Sequence, residues 1–167
     1  VYIGTAPVHL ASDPYATVGK PIVCYDFASC EQQLGYSENF KEFTLCEAMD
    51  FNFRVFNNAP VIFINVLDPS NTSHTKKNAE ESIQVSADGV AVYSKKYVLL
   101  DTLTVKSGSK TLERWTDYVA EFSDGGALSI SLLTDIPSDN TLKVSSTSLD
   151  PQAVNANDVV GGYNAKT

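Results

Sequence analysis

The chain has 167 residues, of which 43% are hydrophobic and 19% are charged. This composition is typical of an ordered globular protein with one domain or two small ones, and the length excludes a large multidomain enzyme. The 12 basic and 20 acidic residues give a net charge of −8, the wrong sign for binding a nucleic-acid backbone or an anionic membrane. No apolar run reaches the roughly 18 residues of a transmembrane helix. We therefore expect no nucleic-acid partner and no membrane insertion.

The first 75 residues alternate short apolar runs with helical patterns. Strands are predicted at VYIGTA, PIVCY and PVIFINV. The last of these is apolar nearly throughout, so we expect it to be covered on both faces of a sheet. Because helical patterns lie between the second and third strands, the order of elements indicates an α/β layer.

Two helices are predicted between those strands. Asp26 is a good N-cap for a short helix that ends at Leu34, and Gly35 follows where a left-handed residue belongs. A longer helix is predicted over roughly residues 40–57. Its apolar face is expected to contain Leu45, Cys46, Ala48, Met49, Phe53, Val55 and Phe56.

Residues 76–154 show a different pattern, in which apolar and polar residues alternate over short runs. Period two is typical of strands with one buried face. The DGG at 124–126 predicts a hairpin within EFSDGGALSI, and about five to seven short strands at this spacing predict a small β-sandwich or barrel. The inward-facing residues are expected to be Ile83 and Val85; Val90 and Val92; Tyr118, Ala120 and Phe122; Leu128, Ile130 and Leu132; Leu142 and Val144.

Two Leu-Asp-Pro tripeptides, at 67–69 and 149–151, bracket this β region. Asp-Pro is a common strand terminator, so one interpretation is two unrelated turns. The other is that the β region is inserted into a loop of the α/β domain. Val1 in place of Met, and an end at GGYNAKT without a helix stop, lead us to expect a piece of a longer protein.

The sequence contains few residues that could act in catalysis or bind a metal ion. His9 and His74 have no partners at metal-ligand spacing, and no motif of a zinc, calcium, nucleotide or nucleophile-elbow site is present. We interpret His74 as a solvated linker residue, while His9 follows the first strand in a loop. Cys24, Cys30 and Cys46 are interpreted as buried apolar residues, although a cysteine hydrolase built on Cys46 stays open. No catalytic, cofactor-binding or metal-ligating residue is predicted, and no cofactor.

Several ordered motifs resemble one protein family. The segments GTAPVHL, DPYA, Lys20-Pro21, LGYS at 34–37 and TLCEAM at 44–49 resemble the opening of the conserved domain of contractile phage tail sheath proteins. TDYVAEFSDGGALSISLL and SLDPQAVNANDVVGGYN resemble the β-rich insertion of that family and the return from it. The resemblance covers most of residues 4–69 and parts of the second half.

The resemblance implies an α+β fold, a partial α/β sheath domain with an inserted all-β domain. Residues 1–75 are predicted to be the first part of the sheath domain, 76–154 the insertion and 155–167 the return segment. The implied function is structural and not enzymatic: stacked hexameric rings around a tail tube that contract to drive it through a cell envelope. The implied partners are other sheath subunits, tail tube and baseplate proteins, in a virion tail assembled in the bacterial host cytoplasm.

A binding module is the alternative, in which the β domain recognises a carbohydrate or another cell-surface ligand. Trp115, Tyr118 and Tyr93 could stack on sugars if they were exposed. Large aromatics on alternating strands are more often core residues, so we expect all three to be buried. The exposure of Trp115 is the observation that separates the two interpretations.

Overall fold

The computed structural model describes residues 1–123 and 125–160. The chain forms two compact units. Unit 1 contains Val1–Thr75 and the chain from Asp150 onward, and unit 2 contains Lys76–Leu149. Strands make up most of the regular structure, with few helices, which confirms the β-rich character predicted for the second half. Unit 2 ends at Leu149, whereas the sequence placed the end of the β region at residue 154.

Unit 1 is built around a three-stranded sheet. Its strands are β1 (Tyr2–Gly4), β2 (Pro21–Cys24) and β3 (Val61–Asn65), in the order β1-β3-β2. The central strand β3 is parallel to β1 and antiparallel to β2. Short 3-10 turns at Val8–Leu10 and Pro151–Ala153 and the helices α1 (Phe27–Leu34), α2 (Thr44–Met49) and α3 (Ala156–Val160) complete the unit.

The ends of α1 follow the sequence prediction. The Asp26 carboxylate accepts a hydrogen bond from the Ser29 amide at 2.7 Å, which satisfies one of the free amides of the first turn. Gly35 has a φ of 73° and its amide donates to the Glu31 carbonyl. The capped helix over Phe27–Leu34 is therefore confirmed.

The second helix differs from its prediction in length and in phase. It begins at Thr44 rather than near residue 40, and a π-helical turn follows over Asp50–Val55. Leu45, Cys46 and Met49 are buried as predicted, but Val55 and Phe56 are 63% and 55% exposed. A π turn uses more residues per turn than an α-helix, so the positions after Met49 rotate away from the predicted face.

Unit 2 contains two sheets that share one hydrophobic core, and the pairs β10–β6, β6–β7, β5–β9 and β8–β9 are antiparallel. The sheet orders are β4-β10-β6-β7 and β5-β9-β8. The predicted hairpin over EFSDGGALSI is β8 paired with β9; Asp124 of its turn lies outside the described residues. The strands are β4 (Thr75–Gln84), β5 (Val90–Tyr93), β6 (Thr104–Ser107), β7 (Lys110–Thr111), β8 (Tyr118–Phe122), β9 (Leu128–Leu132) and β10 (Thr141–Leu149).

Most of the predicted inward residues of unit 2 are buried or half-buried, and β5 is the exception. Ala91 and Tyr93 face the core, while Val92 is exposed and Val90 is half-buried. All four residues of β5 are apolar, so the sequence pattern does not select a face. Burying Tyr93 removes the largest apolar surface of the strand from water, and its hydroxyl finds a partner in Ser146 Oγ at 3.0 Å.

Replacing Gly35 with any other residue is expected to destabilise the fold for two reasons. Its positive φ disfavours any side chain, and an added Cβ would meet the carbonyl group of Pro7. We expect Gly35→Ala to lower the free energy of unfolding by about 2 to 3 kcal/mol. Gly19 has a φ of 64° with open space around it, so Gly19→Ala should cost only about 1 kcal/mol. Urea unfolding of both variants tests this difference, and equal losses would contradict it.

Candidate functional site

His74 contacts two segments of unit 1. One precedes Thr75, where the chain passes into unit 2, and the other follows Leu149, where the chain returns. Its Nδ1 accepts a hydrogen bond from the Asp68 amide at 3.1 Å, and its Nε2 lies 3.4 Å from Asp158 Oδ2. Its carbonyl accepts from the Asp150 amide at 2.7 Å. The interpretation of His74 as a solvated linker residue is therefore wrong: the side chain is buried. Its partners lie up to 84 residues away in sequence, and local polarity did not indicate them.

His9 and Cys46, the two residues considered for catalysis, both lie in the core of unit 1. Burial lowers the pKa of His9 from 6.5 to about 3, so its imidazole is neutral at physiological pH. Burial also raises the pKa of the Cys46 thiol to about 12. A protonated, inaccessible thiol is a poor nucleophile. Within the part of the chain that the structure describes, no three His, Cys, Asp or Glu side chains are grouped so that they could hold a metal ion.

The three aromatics considered for sugar binding do not share a surface. Tyr93 and Tyr118 are buried in the core of unit 2, as expected. Trp115 is 67% exposed, which corrects the expectation that it belongs to the core. It sits in a turn with a φ of 72°, and its amide donates to the Tyr118 carbonyl at 2.7 Å. The guanidinium of Arg114 lies over its ring at 4.7 Å. The turn backbone and the Arg114 side chain are thus the contacts of an indole that lies outside the core.

The sheet of unit 1 has one covered face and one open apolar face. On the covered face, Val61, Phe63 and Asn65 of β3 are buried. The open face consists of the residues that alternate with them on β3 and of their partners in register on the edge strands. These residues are Ile3, Pro21, Val23, Ile62 and Ile64, which we call the open face.

The open face is only partly covered by the residues that the structure describes. Ile3 is 47% exposed and Val23 is 44% exposed, while Ile62 and Ile64 are half-buried. The prediction that β3 is covered on both faces is therefore confirmed for the face of Val61, Phe63 and Asn65, and met only in part for the face of Ile62 and Ile64, by the residues that the structure describes. The sequence indicated the apolar character of both faces, but it contained no signal for what covers the second one.

The edge strands add to this exposed surface. In the three-stranded sheet β1 and β2 are the outer strands, so each has one side without a described strand partner. Unpaired strand edges next to apolar side chains favour pairing with further protein. Tyr25, which directly follows β2, is exposed as well. The candidate functional site is thus the apolar surface made of the open face and the two edge strands beside it.

The chain is similar to a viral structural protein. It is 29% identical over 164 residues to the tail sheath protein of Burkholderia phage BcepMu. The predicted resemblance to phage tail sheath proteins is confirmed. The similarity covers 98% of this chain and 32% of the phage protein, so the chain spans about a third of the length of the curated relative that it matches.

The similarity to the phage sheath protein extends over both units, since it covers nearly the whole chain. No family model matches the sequence. No solved structure matches it either. Among the helices that the structure describes, none combines the length and the apolar character needed to cross a membrane.

Proposed function

We propose that this chain is part of a structural subunit of a contractile phage tail sheath. Such subunits assemble as stacked hexameric rings around a tail tube and contract to drive the tube through the cell envelope. Unit 1 would be the first part of the α/β sheath domain and unit 2 the β-rich insertion, with residues after Asp150 returning to the sheath domain. The similarity to the phage sheath protein over both units supports this proposal.

The open face of unit 1 is the observation that carries the proposal. An apolar sheet face whose edge strands each lack a described strand partner on one side is unfavourable in water, and its burial by further protein is favourable. Rings and helical stacks are generated when different surfaces of identical subunits meet head to tail. We infer that the open face is buried against a neighbouring subunit in the assembled sheath.

The work of a sheath subunit is mechanical and needs no bond-making chemistry. The neutral His9 and the protonated Cys46 thiol are in keeping with such a role. Contraction would move the subunits as nearly rigid bodies, so that the driving free energy resides in the contacts between them. Other sheath subunits, tail tube and baseplate proteins are the partners we propose, in a virion tail assembled in the host cytoplasm. The exposure of Trp115 is the outcome that the carbohydrate-binding alternative requires, but the buried Tyr93 and Tyr118 leave its indole without a second aromatic of that set, so we do not favour the alternative.

Charged substitutions on the open face test this function. In the complete gene product that carries this chain, we expect Val23→Lys and Ile3→Lys to weaken self-association about tenfold or more, because a lysine ammonium would be buried in an apolar contact. Val92→Lys, at an exposed valine of unit 2, is the matched control and should leave association unchanged. Sedimentation velocity measures the effect, and circular dichroism verifies that each variant is folded. A wild-type protein that stays monomeric would contradict the proposed function, whereas folded open-face variants that assemble normally would contradict only the assigned surface.

A further inference from the structure

The π-helical turn of unit 1 exposes a second apolar surface. Phe51, Val55 and the C-cap residue Phe56 are each more than half exposed. The ring centroids of Phe51 and Phe56 lie 4.5 Å apart, and the Phe56 amide donates to the Phe51 carbonyl at 3.1 Å. We call these three residues the π-turn patch. Because the two rings contact each other and the backbone joins their residues, a partner binds the patch with little loss of side-chain freedom.

Neighbouring side chains fix the π turn in place. Phe53 packs on Phe63 of β3, with the ring centroids 6.2 Å apart. The guanidinium of Arg54 lies 4.0 Å from the ring centroid of Phe27, and its Nη1 lies 3.2 Å from Asp50 Oδ1. Single π turns inside helices are rare and are frequent at functional sites. The exposure of the patch is therefore a fixed feature of the fold and not the result of a frayed helix end.

The π-turn patch and the open face lie on opposite sides of the sheet of unit 1. The contact of Phe53 with Phe63 places the π turn against the covered face of β3. The patch residues are exposed on the far side of that turn, whereas the open face is the other face of the sheet. The two apolar surfaces therefore cannot contact each other within one copy. Between identical copies they can, and each copy then presents one surface of each kind to its two neighbours.

The charges beside the two surfaces are opposite in sign. Lys20 directly precedes β2 and is exposed beside the open face, and Glu47 is exposed one helical turn before the patch. The charges of Asp50 and Arg54 compensate each other in a salt bridge. The carboxylate of Asp26, which follows β2, is occupied as the N-cap of α1. A lysine beside one surface and a glutamate beside the other favour contact between the two surfaces over contact of either surface with itself.

We propose that the π-turn patch of one copy of this chain binds the open face of the next copy, head to tail. This inference rests on the proposed function, in which identical subunits stack, and it names the surface that covers the open face. Burial of the two apolar surfaces provides the affinity. A contact between two different surfaces leaves one of each free at the ends of a row, so association continues into a ring or a helical stack.

A glutamate on the π-turn patch is the direct test. In the complete gene product that carries this chain, we expect Val55→Glu to weaken self-association about tenfold or more, because a carboxylate would be buried in an apolar contact. Val92→Glu in unit 2 is the matched control, since Val92 is 62% exposed and Val55 is 63% exposed, and it should leave association unchanged. Phe51→Glu is a second variant of the patch. Sedimentation velocity measures association, and circular dichroism verifies that each variant is folded.

A mixture of two variants tests whether the patch meets the open face. Val23→Lys keeps an intact patch, and Val55→Glu keeps an intact open face. Each variant alone should show weakened association. An equimolar mixture should form a complex of two copies, joined through the one pair of intact surfaces, and this complex should not grow further.

The inference is overturned if folded patch variants assemble as the wild type does, or if the equimolar mixture contains nothing larger than each variant alone. A Val55→Glu protein that loses stability in urea but assembles normally would show that further segments of the same chain cover the patch, which also overturns it. These results leave the proposed function intact as long as the wild type assembles. A wild-type protein that stays monomeric contradicts the proposed function, and this inference with it.

Discussion

Replacing Asn65 with leucine is expected to lower the free energy of unfolding of unit 1 by about 3 to 5 kcal/mol. Asn65 is fully buried at the end of β3. Its Oδ1 accepts hydrogen bonds from the amides of Ala6 at 3.0 Å and Leu67 at 3.1 Å, and its Nδ2 donates to the Leu67 carbonyl at 2.9 Å. Leucine has a similar volume, but it cannot hydrogen-bond to the Ala6 amide or to the Leu67 amide and carbonyl, so these three buried groups lose their side-chain partner.

Asn52 offers a matched control in the same unit. It is also buried, and its Nδ2 donates a hydrogen bond to the Ala48 carbonyl at 2.8 Å. Asn52→Ala should therefore cost about 1 kcal/mol. Urea unfolding followed by circular dichroism measures both losses, and hydrogen exchange of β3 peptides assigns the larger one to unit 1. A loss below about 1 kcal/mol for Asn65→Leu would show that the side-chain amide of Asn65 does not stabilise the contact between β3 and residues 4–7 (GTAP).

The stability of the chain is expected to fall as the pH drops below 6.5, because of His9. Burial lowers the pKa of His9 from 6.5 to about 3 in the folded state. Between these values the unfolded chain binds a proton at His9 that the folded chain does not, so the free energy of unfolding rises with pH in this window. The contribution is complete above pH 6.5 and is lost as the pH falls toward 3. From pH 7.5 to pH 5 we expect a loss of about 2 kcal/mol.

His9 and the carboxylates affect the free energy of unfolding in different pH ranges. Hydrogen bonds lower the pKa values of Glu80, Asp117 and Asp139, so their contributions are lost as the pH falls from the ordinary pKa of a carboxyl group through the lowered one, below the window of His9 for the most part. His9→Gln removes the titrating group, and its unfolding free energy should change by less between pH 7.5 and 5 than that of the wild type. Urea titrations at several pH values measure both profiles. Identical slopes in the two proteins would rule out His9 as the origin of the effect.

Local signals in the sequence were sufficient where the structure depends on local contacts. The Asp26 cap, the left-handed Gly35 and the hairpin between β8 and β9 each involve residues that lie close in sequence. Strand positions in unit 1 followed from apolar runs. The motifs of the conserved segment also indicated the resemblance to sheath proteins that the comparison with the phage protein supports.

Features that depend on distant contacts were not accessible from the sequence. Nothing in DFNFRV marks a π turn, yet that turn moves Val55 and Phe56 into solvent. His74 is buried because Asp68, Asp150 and Asp158 converge on it from three segments. Trp115 is exposed because the backbone of its turn, with a positive φ, directs it outward. The open face was predicted as a covered one, because apolar character indicates that burial is favourable and not which protein provides it.

Electron microscopy of the complete gene product that carries these 167 residues tests the central claim most directly. The claim is that the chain belongs to a subunit that stacks copies of itself through surfaces such as the open face of unit 1. We predict ordered rings, tubes or sheath-like cylinders in negative stain of the purified protein. A folded protein that shows only separate single subunits at every concentration and salt condition would contradict it.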